Sequence, residues 1–502
     1  MLFPCRNTNH LSLAKSDLFA FHDFGGLPAQ GDENRFSILV KMIRDFATRW
    51  EHSKKPAQVL EQVLAGQDFN TVRFTGIGIL HGQKGRGFEM FHGGFLTEFF
   101  VLAQKGGSVQ GLCASSAQMC KRCTIDMSMP CVGECQGKRG RGNTVMDIPK
   151  KMNAVVLMGP NKLEIKEVDT PAPGPQDVLI KVQATAVCGS DVSLMAKPWE
   201  AQPPYGSFII GHEYAGIVAA VGDTVDEFQV GDRVAVEASY GCGRCRNCRL
   251  GYYTACLNYG NHRRGHRANG FTTNGGFAQY AVNHLNTVHK IPDSVDFNEA
   301  ALITNLGCIL YGFQTVGGYV VGDSVAVVGP GPLGLVSVGV ARALCAGKIF
   351  LVGTRDSRLQ MGKTMGADRL INIHQENPVE VIRRETQGIG ADLVIESSGA
   401  STGPQMAVEM CKRMGKVLLV GYPEEPAPVN FSMMGMRNVH IFSVRGEGWA
   451  NCGRGISLLS QGRISLKPLA THSFPLGRIE EAFRTFTERI GGAIKVIVHP
   501  NE

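Results

Sequence analysis

Four cysteines that stand close together have the clearest chemical meaning in this sequence. Their spacing is C-x2-C-x2-C-x7-C, and glycines and arginines surround them. Four thiolates at such spacing can converge on one tetrahedral ion, and Zn²⁺ takes a soft ligand set of this kind. Because protein would fill all four positions, the pattern predicts a structural zinc site, with disulfide bonds as the alternative. The predicted ligands are Cys242, Cys245, Cys248 and Cys256.

A second group of metal-binding residue types precedes this cluster. Cys188 and the pair His212 and Glu213 each adjoin a predicted strand. A thiolate, an imidazole and a carboxylate form a reasonable ligand set for a zinc ion that keeps an exchangeable position. Such an ion polarises an alcohol oxygen, which allows hydride to leave the carbon for a nicotinamide. Taken singly, a buried cysteine or a core histidine is the default interpretation, so the assignment depends on the neighbouring motifs.

A glycine-rich loop is the most informative of these neighbouring motifs. A short apolar strand is predicted at 324–328, and it leads into G-x-G-x-x-G and then into a predicted helix. In that context the backbone amides at the start of the helix can bind the pyrophosphate of a dinucleotide. A glycine-rich turn without a ligand is the alternative. The predicted cofactor contacts are Gly329, Gly331, Pro332, Leu333 and Gly334.

The next predicted strand ends in residues that bear on the choice between NAD and NADP. An NAD site commonly places an acidic residue there, which binds the ribose 2′-hydroxyl. This sequence has Gly353, Thr354 and Arg355 instead. A guanidinium suits a 2′-phosphate, so these residues favour NADP. Asp356 follows directly and keeps NAD open as the alternative.

The elements that must position these residues show two patterns. From 152 to about 298, short alternating or apolar runs predict a β-rich, barrel-like domain with few helices. From 297 onward, strands alternate with helices, which predicts a parallel sheet covered on both faces. A last strand is predicted at 493–499, where it could return to the first domain.

Together these motifs make residues 152–502 resemble the zinc-dependent medium-chain dehydrogenase/reductase family, closest to its polyol (sorbitol-type) and threonine dehydrogenase branches. The resemblance rests on Cys188-Gly-Ser-Asp191, Gly211-His-Glu213, the four cysteines and the glycine loop. It implies an α/β fold, in which a GroES-like β-rich catalytic domain joins a Rossmann domain with a doubly wound parallel sheet. The catalytic domain is then expected at 152–312 and 446–502, and the cofactor domain at 313–445.

The resemblance also implies roles for individual residues. Cys188 and His212 would ligate a catalytic zinc, and Glu213 would enter or leave its coordination sphere. Ser190 would accept a hydrogen bond from the substrate hydroxyl and pass its proton onward. The implied reaction interconverts a secondary alcohol (a polyol, a sugar-derived alcohol or an amino alcohol) and a ketone with NAD(P). The family resemblance further implies a homo-oligomer, either a dimer or a tetramer.

Two positions depart from the pattern of the family. Where the polyol branch usually has Glu-Pro, with the Glu as a further zinc ligand, this sequence has Thr304 and Asn305. Ser193 stands where the proton relay commonly ends in a histidine. These changes leave a zinc-depleted, nucleotide-binding regulatory protein as an alternative function.

Residues 1–151 lie outside the resemblance and are an N-terminal extension of unknown role. Helical periodicity is predicted at 36–64, and five cysteines between 113 and 135 could form a second metal knuckle. A metal-binding or interaction module in this extension is a further alternative for the main role of the protein.

Composition predicts a globular cytoplasmic protein. Hydrophobic residues make up 43% of the chain and charged residues 19%, and most of the net charge of +7 lies in residues 1–150. The 15 cysteines include several at metal-like spacings, which favours a reducing compartment. Neither a secretory signal nor a membrane span is predicted. We therefore expect a small-molecule substrate, and neither a nucleic-acid partner for the core nor a membrane partner.

Overall fold

The computed structural model describes residues 146–502, apart from 200, 319–320 and 449, together with the backbone of five strands between 71 and 114. These residues belong to two compact units, 1–140 and 141–502. The helix predicted at 36–64 and the cysteines at 120–135 lie outside the described residues. The five strands of the first unit are β1 (Thr71–Thr75), β2 (Leu80–His81), β3 (Glu89–Met90), β4 (Phe99–Lys105) and β5 (Ser108–Ala114).

The strands of the first unit form two small antiparallel sheets. One sheet has the order β1-β4-β5, and the other pairs β2 with β3.

The second unit holds all the predicted site residues, and it begins with ten strands. They are β6 (Lys151–Gly159), β7 (Lys162–Asp169), β8 (Asp177–Ala186), β9 (Phe208–Ile209), β10 (Tyr214–Val221), β11 (Arg233–Val236), β12 (Ser239–Tyr240), β13 (Arg267–Ala268), β14 (Tyr280–His284) and β15 (Val288–Lys290).

Six strands of the second unit form a parallel sheet in the order β18-β17-β16-β19-β20-β21, as the alternating pattern predicts. Two further strands follow in the chain, Ala470–Pro475 and Lys495–His499, which are β22 and β23. The strands of the parallel sheet are β16 (Ser324–Val328), β17 (Lys348–Gly353), β18 (Arg369–Asn372), β19 (Ala391–Glu396), β20 (Cys411–Leu419) and β21 (His440–Ser443).

The final strand returns to the β-rich part of the unit, as the sequence indicates. β23 pairs antiparallel with β8, and the mixed sheet has the order β15-β11-β10-β8-β23-β22, with β14 also paired to β8. The central strand β8 is apolar along most of its length because it is buried on both faces. Val178, Ile180 and Val182 pack in one hydrophobic cluster, whereas Leu179 packs in another.

Eleven α-helices are described in the second unit, and most of them cover the parallel sheet. None of the helices in this part of the chain is long and apolar enough to cross a membrane. They are α1 (Gly189–Ala196), α2 (Arg246–Arg249), α3 (Phe297–Ala301), α4 (Ile303–Thr315), α5 (Pro332–Ala343), α6 (Asp356–Thr364), α7 (Pro378–Glu385), α8 (Gly403–Met410), α9 (Phe431–Arg437), α10 (Asn451–Ser460) and α11 (Ile479–Glu488).

Helix α1 is not predicted from the sequence, although it carries part of the site. It has only eight residues and buries only Asp191 and Leu194, so it leaves almost no apolar periodicity to detect. Its start is set by polar contacts instead. The backbone N–H of Cys188 donates to Asp191 Oδ2 at 2.9 Å, so a carboxylate of the first turn holds the residue that precedes the helix.

Candidate active site

Cys188 and His212 approach each other from two different strands of the sheet. Cys188 follows the end of β8, and His212 precedes β10, which pairs with β8. Gly211 has φ +97°, and a Cβ there would lie 2.6 Å from the ring of Phe277, so only glycine fits before His212. The antiparallel pairing therefore places a thiol and an imidazole at the same edge of the sheet.

Asp191 orients the imidazole of His212. Its Oδ1 lies 3.1 Å from His212 Nδ1, and both side chains are buried. A carboxylate at Nδ1 fixes the ring so that Nε2 faces the other ligands, as is usual for metal-bound histidines. Burial lowers the pKa of His212, but the nearby Asp191 and Cys188 outweigh burial and raise this pKa well above its usual value. The pocket is thus built to hold positive charge.

The three predicted catalytic ligands converge. One ligand atom from each of Cys188, His212 and Glu213 lies within 4.8 Å of the others. His212 Nε2 is 4.0 Å from Glu213 Oε1. This donor set of sulfur, nitrogen and oxygen fits a zinc ion that keeps an open position.

Glu213 is held by Lys495 and Asn305, neither of which the sequence predicted to bind it. Lys495 Nζ donates to Glu213 Oε2 at 2.5 Å, and Asn305 Nδ2 donates to Oε1 at 2.5 Å. Burial lowers the pKa of Lys495, but the carboxylate of Glu213 more than compensates and raises it. The sequence does carry a signal for Lys495, because a lysine begins a strand that is otherwise apolar and mostly buried.

The structure explains why Thr304 and Asn305 replace the acidic pattern of the family at this position. Both side chains are buried near the start of α4. Asn305 binds the carboxylate of Glu213 rather than adding another acid to the pocket. The amide of Asn305 thus positions the carboxylate of Glu213.

The hydroxyl groups of the predicted proton relay lie on α1. Ser190 is half-buried, and its Oγ is 3.9 Å from Cys188 Sγ. Ser193 is exposed one turn further along the helix.

Aromatic rings line another side of the pocket: Phe271 lies 4.5 Å from the ring of His212, and Trp199 stacks on Phe271 at 5.1 Å. The pocket therefore has an apolar wall beside the histidine.

The four predicted structural cysteines also converge, with their sulfur atoms within 4.8 Å of one another. All four thiols are free, which argues against the disulfide alternative. A Cβ at Gly241 would lie 2.6 Å from Cys248 Sγ, so the turn requires glycine. Backbone N–H groups of Cys245 and Cys248 donate to the sulfurs of Cys242 and Cys245 at 3.3 and 3.4 Å, as expected for thiolates bound to a metal.

The glycine loop has the geometry of a dinucleotide site. Gly329 has φ +96°, and a Cβ at Gly334 would lie 1.9 Å from the carbonyl oxygen of Gly329. A Cβ at Gly331 would meet nothing within 4 Å, so the backbone is open to a ligand there. Pro332 begins α5, and Leu333 follows it in the first turn, so the loop leads directly to a helix N-terminus.

The strand end at Gly353 differs in one respect from the sequence interpretation. A Cβ at Gly353 would lie 2.6 Å from the ring of Pro330, so the glycine is required by packing against the glycine loop. Thr354 and Arg355 are exposed beyond it, and Arg355 immediately precedes α6. Arg358 Nη2 donates to the carbonyl of Ala493 at 2.6 Å, which joins α6 to the segment before β23.

Comparison with known proteins accounts for this combination of sites. Residues 174–293 match the family described as the Alcohol dehydrogenase GroES-like domain, and residues 332–461 match the one described as Zinc-binding dehydrogenase. Sorbitol dehydrogenase of Bacillus subtilis (strain 168) is 32% identical over 363 residues, which are 70% of this chain and 99% of that protein. The chain belongs to the zinc-dependent medium-chain dehydrogenase/reductase family.

Other members of this family are similar to the chain over the same region. L-Threonine 3-dehydrogenase of Pyrococcus horikoshii is 34% identical over 359 residues, covering 69% of this chain and 98% of that protein. A protein from Sinorhizobium meliloti 1021 that was solved with NADP bound has a TM-score of 0.65 and is 26% identical, over 70% of this chain and 100% of that chain. The fold of the family, a GroES-like domain with a Rossmann domain, and its cofactors, zinc and NAD(P), agree with the two predictions made from the motifs.

Proposed function

We propose that this chain is a dehydrogenase that uses zinc and NAD(P) to interconvert a secondary alcohol and a ketone. The observation that carries the proposal is the convergence of Cys188, His212 and Glu213 from two separate loops. The donor set leaves room for a substrate oxygen at a bound metal, in contrast to the closed set of four cysteines. The zinc-depleted alternative is disfavoured because Asn305 stabilises the third ligand instead of displacing it.

Cys188, His212 and Glu213 would hold the catalytic zinc, which when bound supplies a Lewis acid that lowers the pKa of the substrate hydroxyl. Asp191 keeps His212 in one orientation, and Lys495 holds the carboxylate of Glu213 in place. Ser190 would accept a hydrogen bond from the substrate hydroxyl and, as the substrate proton moves to it, release its own proton through Ser193 and water at the exposed face of α1. Phe271 and Trp199 would keep water away from the carbon that gives up hydride.

The nucleotide would bind along the glycine loop, with its pyrophosphate at the N-terminus of α5. Among the two nicotinamide cofactors we propose NADP. Arg355 is exposed at the end of β17, where the 2′-phosphate would lie, and an acidic side chain is absent from Gly353 and Thr354. Arg358 and Arg489 lie near Arg355, which adds positive charge on that side.

The relatives supply the substrate classes to be tested. Sorbitol dehydrogenase is named for a polyol and L-threonine 3-dehydrogenase for a hydroxy amino acid. We propose a substrate from these classes, namely a polyol, a sugar-derived alcohol or an amino alcohol with a secondary hydroxyl. We also propose catalytic-domain boundaries of 152–312 and 446–502 around a cofactor domain of 313–445. The pairing of β23 with β8 supports the return of the last segment. A cytoplasmic location and a homo-oligomeric state stay predictions.

The decisive experiment measures reduction of NADP and of NAD by the zinc-loaded full-length protein across a panel of polyols and hydroxy amino acids. We expect turnover with at least one secondary alcohol and with NADP preferred. Zinc held at Cys188, His212 and Glu213 with no turnover of any secondary alcohol would contradict the proposed reaction, and loss of the catalytic zinc would favour the regulatory alternative.

A further inference from the structure

A second set of cysteine, histidine and glutamate lies apart from the proposed active site. Glu237 follows β11, His289 lies in β15, and Cys452 lies in the first turn of α10. One ligand atom from each of these residues lies within 4.8 Å of the others. The set has the same three ligand types as the catalytic group, but it shares no residue with it.

Two buried carboxyl groups, those of Glu237 and Glu447, lie at this set. Glu237 is 3% exposed; its Oε2 lies 3.0 Å from His289 Nε2, and its Oε1 accepts a hydrogen bond from the hydroxyl of Tyr253. Glu447 is 4% exposed, and within 146–502 its Oε2 has no hydrogen-bond partner. Burying a carboxylate oxygen without a partner is costly, so the environment favours a cation.

Glu447 lies beside Cys452. Both side chains reach the space above Gly307 of α4, where a Cβ would be 2.9 Å from Cys452 Sγ and 3.2 Å from Glu447 Cγ. Glycine at this position keeps that space open for the two side chains. Glu447 is not one of the three residues whose ligand atoms lie within 4.8 Å of one another, so its carboxylate would have to turn toward the ion to supply a fourth ligand.

The donor types indicate which ion would fit. Zinc binds sulfur, nitrogen and carboxylate oxygen at about 2.0 to 2.3 Å in a tetrahedron, so neighbouring ligand atoms are then roughly 3.3 to 3.8 Å apart. The observed separations require only small side-chain adjustments to reach this geometry. A harder ion such as Mg²⁺ would not select the thiol.

A surface cavity lies against one side of this set. A surface cavity of about 450 Å³ is lined by His289 and by Gly453, the residue next to Cys452. None of the proposed catalytic ligands lines this cavity. An ion could thus enter without passing through the active site.

We propose that Glu237, His289 and Cys452, with Glu447 as the fourth ligand, form a further zinc site. β15 is at the edge of the mixed sheet, and α10 packs against α4, so the ion would fasten this sheet edge to the helical layer. The site is structural, since its ligands would come entirely from the protein. It goes beyond the proposed dehydrogenase activity and does not depend on it.

The test compares metal content and stability of the zinc-loaded full-length protein with those of Cys452→Ser and His289→Gln. By mass spectrometry of the metal, each variant is expected to hold one zinc equivalent fewer than the parent and to keep its turnover. Cys411→Ser is the matched control, because Cys411 is equally buried but binds the Lys416 carbonyl in the parallel sheet. It should keep the parental zinc content.

Cobalt loading gives a second measurement that does not depend on activity. The absorption from thiolate-to-cobalt charge transfer should fall in Cys452→Ser by the share of one thiolate, and Cys411→Ser should leave it unchanged. An unchanged zinc content in both Cys452→Ser and His289→Gln would overturn the proposal. Cys188→Ala, in contrast, should lose the zinc ion of the proposed catalytic site together with all turnover. Failure of this site and failure of the proposed reaction are therefore distinguishable.

Discussion

Lys495 and Glu213 form an ion pair inside the protein: Nζ lies 2.5 Å from Oε2, and each side chain is only 1% exposed. The pair joins the last strand of the chain to the residue beside the proposed zinc-binding histidine. β23 pairs with β8, and β8 pairs with the strand that follows Glu213, so the sheet itself brings Lys495 close to Glu213. Lys495 also donates to the carbonyl of Val187 at 3.3 Å, so its ammonium group is bound on two sides.

Removing the lysine should destabilise the fold. Lys495→Met leaves Glu213 buried without its counter-charge, and breaking a buried pair in this way costs about 3 to 5 kcal/mol. Urea unfolding followed by circular dichroism measures the change. Lys151→Met, which breaks the exposed pair with Asp169, is the control and should change stability little. The double variant Lys495→Met with Glu213→Gln should recover part of the loss; equal stability of the single variant and the parent would contradict the argument.

Removing a catalytic ligand should abolish turnover while the fold stays intact. Zinc contributes several kcal/mol to the transition state of such reactions, so Cys188→Ala or His212→Ala should lower kcat/KM by about 10³-fold or more. Each variant should also lose one zinc equivalent but keep the four-cysteine site. Cys345→Ala, at an exposed free cysteine, should match the parent in both measurements. Retained turnover in either ligand variant would refute the metal assignment.

The choice of cofactor should depend on Arg355. A hydrogen bond to a charged group contributes about 1.5 to 3 kcal/mol, so Arg355→Ala should raise KM for NADP roughly 10- to 100-fold. KM for NAD should change little, because NAD has no 2′-phosphate. Steady-state kinetics with both cofactors measure this difference, and Arg384→Ala, an exposed arginine on α7, serves as the control. An equal rise in both KM values would mean that Arg355 does not bind the 2′-phosphate.

Stability should fall in mild acid because of His266. Burial, with added repulsion from His262 and Arg445, lowers the pKa of His266 from 6.5 to about 4. The unfolded chain therefore takes up a proton between about pH 6.5 and pH 4 that the folded chain does not, so stability is lost as the pH falls through this window. The contribution is at most roughly 3 kcal/mol, at 1.36 kcal/mol per pKa unit. His266→Gln should flatten the curve of unfolding free energy against pH over this range; a parallel curve would exclude this cause.

The N-terminal extension should be dispensable if it is cut at the right residue. Matches to the relatives cover nearly all of their length with about 70% of this chain, and the first matched family domain begins at residue 174, so we expect the N-terminal extension to contribute little to the reaction. Met146 and Ile148 pack against a hydrophobic cluster of the β-rich part, so the cut should precede them. Deletion of 1–145 should keep full turnover, whereas deletion of 1–151 should lower the melting temperature. Loss of turnover in the shorter deletion would assign a role in the reaction to the extension.

The sequence by itself determined the elements whose signals are local. The four cysteines, the strand β16 with its glycine loop, and the alternation that forms the parallel sheet depend on spacings of a few residues. The geometry of a turn or a strand sets such spacings locally, so they can be recognised in the sequence without the rest of the fold. Cys188, His212 and Glu213 were recognisable as metal-binding residue types, but their assignment to one site depended on the neighbouring motifs.

Only the tertiary structure decided how these residues are supported. Lys495 and Glu213 are 282 positions apart in the chain, and the contact exists only because the last strand joins the sheet beside β8. Asn305 and the second Cys/His/Glu set likewise depend on how α4 and α10 pack, and packing of this kind leaves no fixed spacing in the sequence. Long-range pairs are decided by the burial of whole faces, which is a property of the assembled fold and not of any one segment.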